Sequence, residues 1–278
     1  PPPPPPTPPR IECRRQRQMC IRDRDKLAGI VAECSAVVYC AGSVRGRIAE
    51  DFSFANVKGV EAMLTALGHS DNAPPLLLLS SLAASRPELS DYAHSKYAGE
   101  QLLKDTALAW TILRPPAVYG PGDREMLPVF KMIRRGFVAH AGPSDQRLSL
   151  LHVDDLVNAV ITWISAPQQC LHQTYTIDDG APGGYDWATI GECVGGKKPN
   201  TFKVPRFILS TAAHMNLVFS RFLGYAPMLS PGKVRELVQP EWLGDNTAFT
   251  EATGWRPEID LTRGAQQLFK AEREGPSD

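Results

Sequence analysis

The chain has 278 residues, 43% of them hydrophobic, with 30 basic and 30 acidic side chains. That length fits one large domain or two smaller ones, and a formal net charge of zero removes any overall electrostatic case for nucleic acid or an anionic membrane. The six cysteines (13, 20, 34, 40, 170 and 193) have no CxxC spacing and the six histidines are dispersed, a pattern expected of a cytoplasmic protein with reduced thiols and no metal site.

Residues 1–24 open as PPPPPPTPPR, which can be only extended polyproline or disorder, and continue with basic residues lacking amphipathic order. They resemble translated adapter read-through and are expected to be a non-native leader, with a proline-rich ligand for a partner domain as the other reading. No apolar h-region marks them as a signal peptide. Leu27 to Cys34 reads as a short helix and Ala36 to Cys40 as a buried strand, followed by Ala41-Gly42. The glycines of GSVRG at 42–46 do not match G-x-G-x-x-G, the dinucleotide fingerprint. Asp51 to Leu67 is an amphipathic helix with Phe52, Asn56, Val60, Met63 and Leu67 along one stripe.

Leu76 to Leu79 reads as a buried parallel strand that delivers Ser80 and Ser81 at its C-terminal end. Register favours Ser81 as the one facing a site. Tyr92 and Lys96 stand one turn apart on the helix Tyr92 to Lys104. A second strand, Trp110 to Leu113, ends in Arg114-Pro115-Pro116, where proline stops the ladder. Open parallel sheets bind ligands beyond the carboxyl ends of their strands. Ser81, Tyr92, Lys96 and the Pro115 loop therefore aim at one crevice.

Those residue types suit hydride transfer at a carbinol or ketone. A free phenol titrates near ~10, and a lysine on the same helix face is expected to favour the phenolate. A serine hydroxyl can hold the substrate oxygen while the tyrosine moves a proton. The hydride itself needs a nicotinamide.

Downstream, Glu125 to Arg135 is amphipathic, and Asp154 and Asp155 are expected to cap a helix with Leu156, Ala159, Val160, Trp163 and Ile164 facing the core. Thr174 to Ile177 reads as the last strand of the sheet. Asp186 is expected to cap a helix running to Cys193. Phe207 to Ser220 carries no Lys, Arg, Asp or Glu but falls short of the about 20 residues of a membrane span, so a buried or interfacial helix is expected. Tyr185, Phe207, His214, Met215 and Phe219 are expected to line an apolar substrate pocket.

Together, Ser80-Ser81 after a strand, Tyr92-Ala-His-Ser-Lys96 and Arg114-Pro-Pro-Ala-Val-Tyr-Gly-Pro-Gly122 resemble the extended short-chain dehydrogenases/reductases, the NAD-dependent epimerase/dehydratase branch. Arg147 to Asp155, with its HVDD, and the Gly254-Trp-Arg-Pro257 stretch are similar to the same branch. The resemblance implies an α/β fold: an incomplete Rossmann-type doubly wound parallel sheet, its first strands missing, over 25–178. A smaller, mostly helical substrate region follows over 179–278, with part of 123–150. It implies NAD or NADP as cofactor and a small-molecule substrate. Ser81, Tyr92 and Lys96 would be catalytic, with Asn56 holding a relay water. Ala41, Gly42, Ser80, Tyr92, Lys96, Pro115 and Val118 would contact the cofactor, and Tyr119 and Arg147 the substrate. For Arg147 a structural salt bridge to an aspartate is an equal alternative. A homodimer is implied through the helices 51–67 and 92–104, for which Ala98-Gly99 offers a small-residue patch.

The resemblance also implies that a glycine-rich turn and its strands are missing upstream. The chain as given is then expected to leave one edge of Ala36–Cys40 bare, to aggregate, and to bind cofactor weakly. Two function classes follow: an oxidoreductase or epimerase/dehydratase, and a non-catalytic cofactor-sensing or assembly protein on the same fold. The set Ser81, Tyr92 and Lys96 favours the enzyme.

Overall fold

A computed structural model describes residues 24–69 and 72–274. The expected leader lies outside them except for Arg24. Helix α1 (Arg24–Ala32) precedes strand β1 (Val37–Tyr39), and α2 (Ala49–Ser53) runs through a π-helical turn at Phe54–Lys58 into α3 (Gly59–Leu67). Then come β2 (Leu76–Leu79), α4 (Asp91–Lys104), β3 (Trp110–Arg114), β4 (Ala117–Tyr119) and α5 (Leu127–Arg134). The middle of the chain supplies β5 (Phe137–His140), β6 (Arg147–Leu148), β7 (Leu150–His152), α6 (Val153–Ser165) and β8 (Gln173–Thr176). The remainder holds α7 (Trp187–Gly195), β9 (Asn200–Lys203), α8 (Arg206–Leu223), α9 (Pro231–Leu237), β10 (Glu241–Trp242), α10 (Thr247–Thr253) and α11 (Leu261–Glu274).

The main sheet has the order β1-β2-β3-β8 and every pairing is parallel, with Val37 opposite Leu76, Leu76 opposite Trp110 and Ile112 opposite Thr174. Parallel neighbours need crossover connections, and α2 with α3, then α4, make them. Both faces of such a sheet are covered, which is why β2 is four leucines. Leu76 and Ile112 pack with Val31, Val60 and Leu67 on one side, and Leu77 and Leu113 with Trp163, Phe249 and Trp255 on the other. Burying each such side chain is worth roughly 1.5–3 kcal/mol. This is the expected incomplete Rossmann-type sheet: among the described residues β1 pairs with β2 alone.

A second core joins β4, α5, β7, α7 and α11 through Tyr119, Phe130, Leu150, Ile190 and Leu268. Three details depart from the sequence reading of α6. Ile164, expected to face the core, is exposed on the outer side of the helix. Its N-cap is His152, whose Nδ1 accepts from the Asp154 backbone N–H at 3.2 Å. Asp155, wholly buried, instead accepts from the N–H groups of Glu258 and Ile259, both at 3.0 Å. It thereby fastens the C-terminal segment to α6, a partner too far along the chain for local spacing to reveal. Asp186 does cap α7, accepting from Thr189 N–H at 2.8 Å. No helix among the described residues is long and apolar enough to cross a membrane.

Candidate active site

The site is assembled where β2 and β3 end. The Leu82 N–H donates to the Pro115 carbonyl at 2.8 Å, tying the two loops that leave these strands. Ser81 caps the short 3-10 turn Leu82–Ser85, its Oγ accepting from Ala83 N–H at 3.2 Å. Ser90 caps α4 in the same way, accepting from Ala93 N–H at 3.0 Å. The first turn of α4 then presents Tyr92, and the second presents Lys96.

Tyr92 is half-buried, its ring tilted against Phe52 with 6.2 Å between centroids. Burial pushes its phenol up to about 12; a hydrogen bond with the Ser81 hydroxyl works against that, and the Glu236 carboxylate adds to it. Lys96 is 8% exposed, and its Nζ donates to the Leu79 carbonyl at 3.0 Å. Burial lowers the amine to about 8, opposed by Glu100 and by Cys40. The amine is directed at the end of β2, and of the groups acting on the phenol the Ser81 hydroxyl favours its ionised form.

Asn56 sits in the π-helical turn, a local widening that often accompanies functional positions. Its Oδ1 accepts from Ser43 N–H at 3.1 Å, while Nδ2 donates to the Ser43 carbonyl at 3.1 Å and to Ser95 Oγ at 2.9 Å. Gly42 lies over this group. A Cβ there would stand 3.0 Å from both Asn56 Oδ1 and Lys96 Nζ. Thus Gly42, Asn56, Ser81, Tyr92 and Lys96, drawn from four separate stretches, converge at the C-terminal end of the sheet, with Ala41 exposed at the rim.

Profile comparison adds the family. The profile of the NAD dependent epimerase/dehydratase family matches residues 6–177. The chain belongs to that family. It is 30% identical over 244 residues to the ceramide reductase of Caulobacter vibrioides (strain NA1000 / CB15N), covering 84% of this chain and 75% of the relative. Its fold is similar to Pal from Bacillus thuringiensis, at 15% identity and a TM-score of 0.67 over 91% of this chain and 81% of that one. It is also similar to RMD from Pseudomonas aeruginosa complexed with NADPH, at 18% identity and a TM-score of 0.65 over 97% and 89% of the two chains. The family places this chain among NAD-dependent oxidoreductases and epimerases.

Other predicted site residues lie elsewhere. The Ser80 hydroxyl donates to Glu100 rather than facing Tyr92, so register resolves in favour of Ser81. Pro115 contributes the carbonyl that holds Leu82, and Val118 is half-buried in β4 opposite Leu151. Tyr119 is no substrate contact. It is wholly buried, its ring 5.4 Å from those of Phe130 and His152, because the pairing of β4 with β7 turns it into the second core. Arg147 is paired with Asp186 at 3.7 Å, the salt-bridge alternative. Tyr185 is buried with its hydroxyl donating to Asp179 at 2.6 Å, whereas Phe207, Met215 and Phe219 are exposed to solvent. His214 is exposed, its Nδ1 2.7 Å from the Ser210 carbonyl.

Three residues that spacing left unremarked shape the site. Glu100, fully buried one turn beyond Lys96, takes a two-pronged hydrogen bond from Arg114 and pairs with Lys104 at 3.7 Å. The i,i+4 series 96, 100, 104 was its only signal. Ser90 and Glu236 are joined by a hydrogen bond that brings α9 to the start of α4.

The nicotinamide end of a dinucleotide fits these residues. The buried Lys96 amine makes one hydrogen bond and has two further donors for ribose hydroxyls. The side-chain-free Gly42 gives a ring or sugar room beside it.

Proposed function

We propose that Ser81, Tyr92 and Lys96 move a proton at a secondary alcohol or ketone in step with hydride transfer, using NAD or NADP. The observation that carries this reading is the convergence of Ser81, Asn56, Tyr92 and Lys96 at the C-terminal end of the sheet beside the side-chain-free Gly42, around a phenol that burial holds protonated, up to about 12. A protonated phenol at neutral pH is a proton donor, which suits reduction of a carbonyl. A nicotinamide held beside Gly42 and Lys96 would supply the hydride chemistry. The Ser81 hydroxyl holds the carbonyl oxygen, Tyr92 passes its proton to that oxygen, and Asn56 with Ser95 keeps the path behind Tyr92 polar. Lys96 holds the ribose. Similarity to a ceramide reductase supports a ketone carried on an apolar molecule, ahead of a sugar nucleotide.

The test is Tyr92→Phe assayed with a panel of apolar ketones at saturating NADH or NADPH. Turnover falls by about 10²–10⁴ while cofactor affinity stays unchanged, because only the transferable proton is removed. Unaltered turnover overturns the assignment.

A further inference from the structure

Helix α8 is built inside out for a helix surrounded by water. Ala213 and Ser220 are buried and Ser210, Asn216 and Leu217 are half-buried, a small and largely polar inner face. The outer face carries Phe207 at 71% exposure, Met215, Val218, Phe219, Phe222 at 83% and Leu223 at 74%. Water-facing helices normally present the opposite arrangement, and a contiguous exposed apolar surface of this kind marks an interaction site. Tyr225 and Met228, on the loop that follows, extend it, and that loop is held by Asn216 Nδ2 donating to the Leu229 carbonyl at 2.9 Å.

Charge identifies the occupant. Residues 193–235 contain seven Lys and Arg and no Asp or Glu, in a chain whose overall charge is zero. Lys197, Lys198, Lys203 and Arg206 are exposed, and no ion pair joins them to a carboxylate among the described residues. A second copy of the chain would set two such basic surfaces against each other. The arginine-rich stretch at 10–17 would be repelled for the same reason. Apolar and aromatic side chains flanked by unpaired cations match an anionic bilayer surface, into which an interfacial helix sinks its apolar face while lysines engage the headgroups. At 18 residues α8 is about 27 Å long, and it lies on such a surface rather than crossing it.

We propose that α8, with the basic residues leading into it, docks the protein on anionic lipid bilayers. The surface is close to the candidate active site. α8 packs on α9, and Glu236 of α9 takes the hydrogen bond of Ser90 at the start of the helix that carries Tyr92.

The experiment is co-sedimentation of the full chain with vesicles of phosphatidylcholine alone or mixed with phosphatidylglycerol. It needs no turnover, so its result is independent of the proposed reaction. The protein pellets with the mixed vesicles and weakly with pure phosphatidylcholine. Lys197→Gln, Lys198→Gln and Lys203→Gln together weaken binding to the anionic vesicles roughly hundredfold, at about fivefold for each charge, and leave the neutral vesicles unaffected. Phe219→Asp with Phe222→Asp abolishes pelleting on both, with circular dichroism unchanged because both side chains are exposed. Wild-type protein that stays in the supernatant with anionic vesicles overturns the proposal. So does an aspartate variant that still pellets, or a solution dimer that Phe222→Asp dissolves, which would show a second copy on this face.

Discussion

The Ser90 hydroxyl donates to the buried carboxylate of Glu236, a residue 146 positions further along the chain. That one bond locks α9 onto the N-terminus of α4. Gly232 lets the two approach, since a Cβ there would come 2.7 Å from the Ser90 Cβ, and Lys233 Nζ completes the group at 2.9 Å from Glu236 Oε2. The Glu236 charge also reaches Tyr92 and raises its phenol. Glu236→Gln keeps an acceptor for Ser90 but removes the charge, so the phenol titrates lower. The alkaline limb of the reduction rate then moves to lower pH, which a pH–rate profile measures. Glu236→Ala also strands the Ser90 hydroxyl and destabilises the fold by about 1–3 kcal/mol in a thermal melt.

Lys96 is retained against the interest of stability. Its folded pKa, about 8, lies below the model-peptide value of 10.5, so the folded protein disfavours the charged amine. The penalty is fully present below pH 8 and is relieved as pH rises toward 10.5. A shift of that size corresponds to something on the order of 3 kcal/mol. Lys96→Met is therefore expected to melt higher than the wild type at pH 7 while losing activity, and the difference in melting temperature narrows above pH 8. Equal melting temperatures across that range would show that the amine is not desolvated.

Below the site, Glu100 gathers Ser80, Arg114 and Lys104 around a carboxylate with no exposure at all. Glu100→Ala leaves the Arg114 guanidinium, itself only 16% exposed, without its partner. Loss of one member of a buried pair costs about 3–5 kcal/mol, to be read from denaturant midpoints. Glu100→Gln preserves the shape but removes the charge that holds the Lys96 pKa up, so the amine is neutral over more of the neutral range. Its signature is weakened cofactor affinity already below pH 8, where the wild-type value is steady.

The parts of this fold legible in the sequence are those that local chemistry determines. Four leucines between Pro75 and a pair of serines read as an interior parallel strand, and Tyr92 and Lys96 at i,i+4 share a helix face whatever surrounds them. What stayed hidden depends on long-range pairing. Tyr119 ends a stretch that looks like a site loop, and only its pairing with β7 shows that it is core. Asp155 reads as a cap until Glu258 and Ile259, more than 100 positions away, take its oxygens. The segment that becomes α8 was visible as a charge-free, apolar-rich stretch, but composition does not say which way its apolar side chains turn. There they turned outward.

Gly99 illustrates the same limit and yields the last prediction. Beside Ala98 it reads as a small-residue patch for a partner helix. In the fold it is buried against the chain's own π-helical turn, and a Cβ at Gly99 would collide with the Asn56 backbone carbonyl, an atom that cannot swing aside. The close approach that Gly99 permits is thus internal. It sets the distance at which Asn56 Nδ2 reaches Ser95 Oγ. Gly99→Ala must push α4 and the turn apart, and overpacking of this kind costs about 1–3 kcal/mol. Because Lys96 and Asn56 sit on the two elements being separated, activity should fall by more than the loss of folded protein accounts for. Ala98→Gly, one position away and clear of the carbonyl, is the control. It lowers stability only by about 0.5–1 kcal/mol, through helix propensity, and leaves the turnover of folded protein alone. A Gly99→Ala protein with wild-type melting temperature and turnover would mean that α4 and the π-helical turn are not in the contact described.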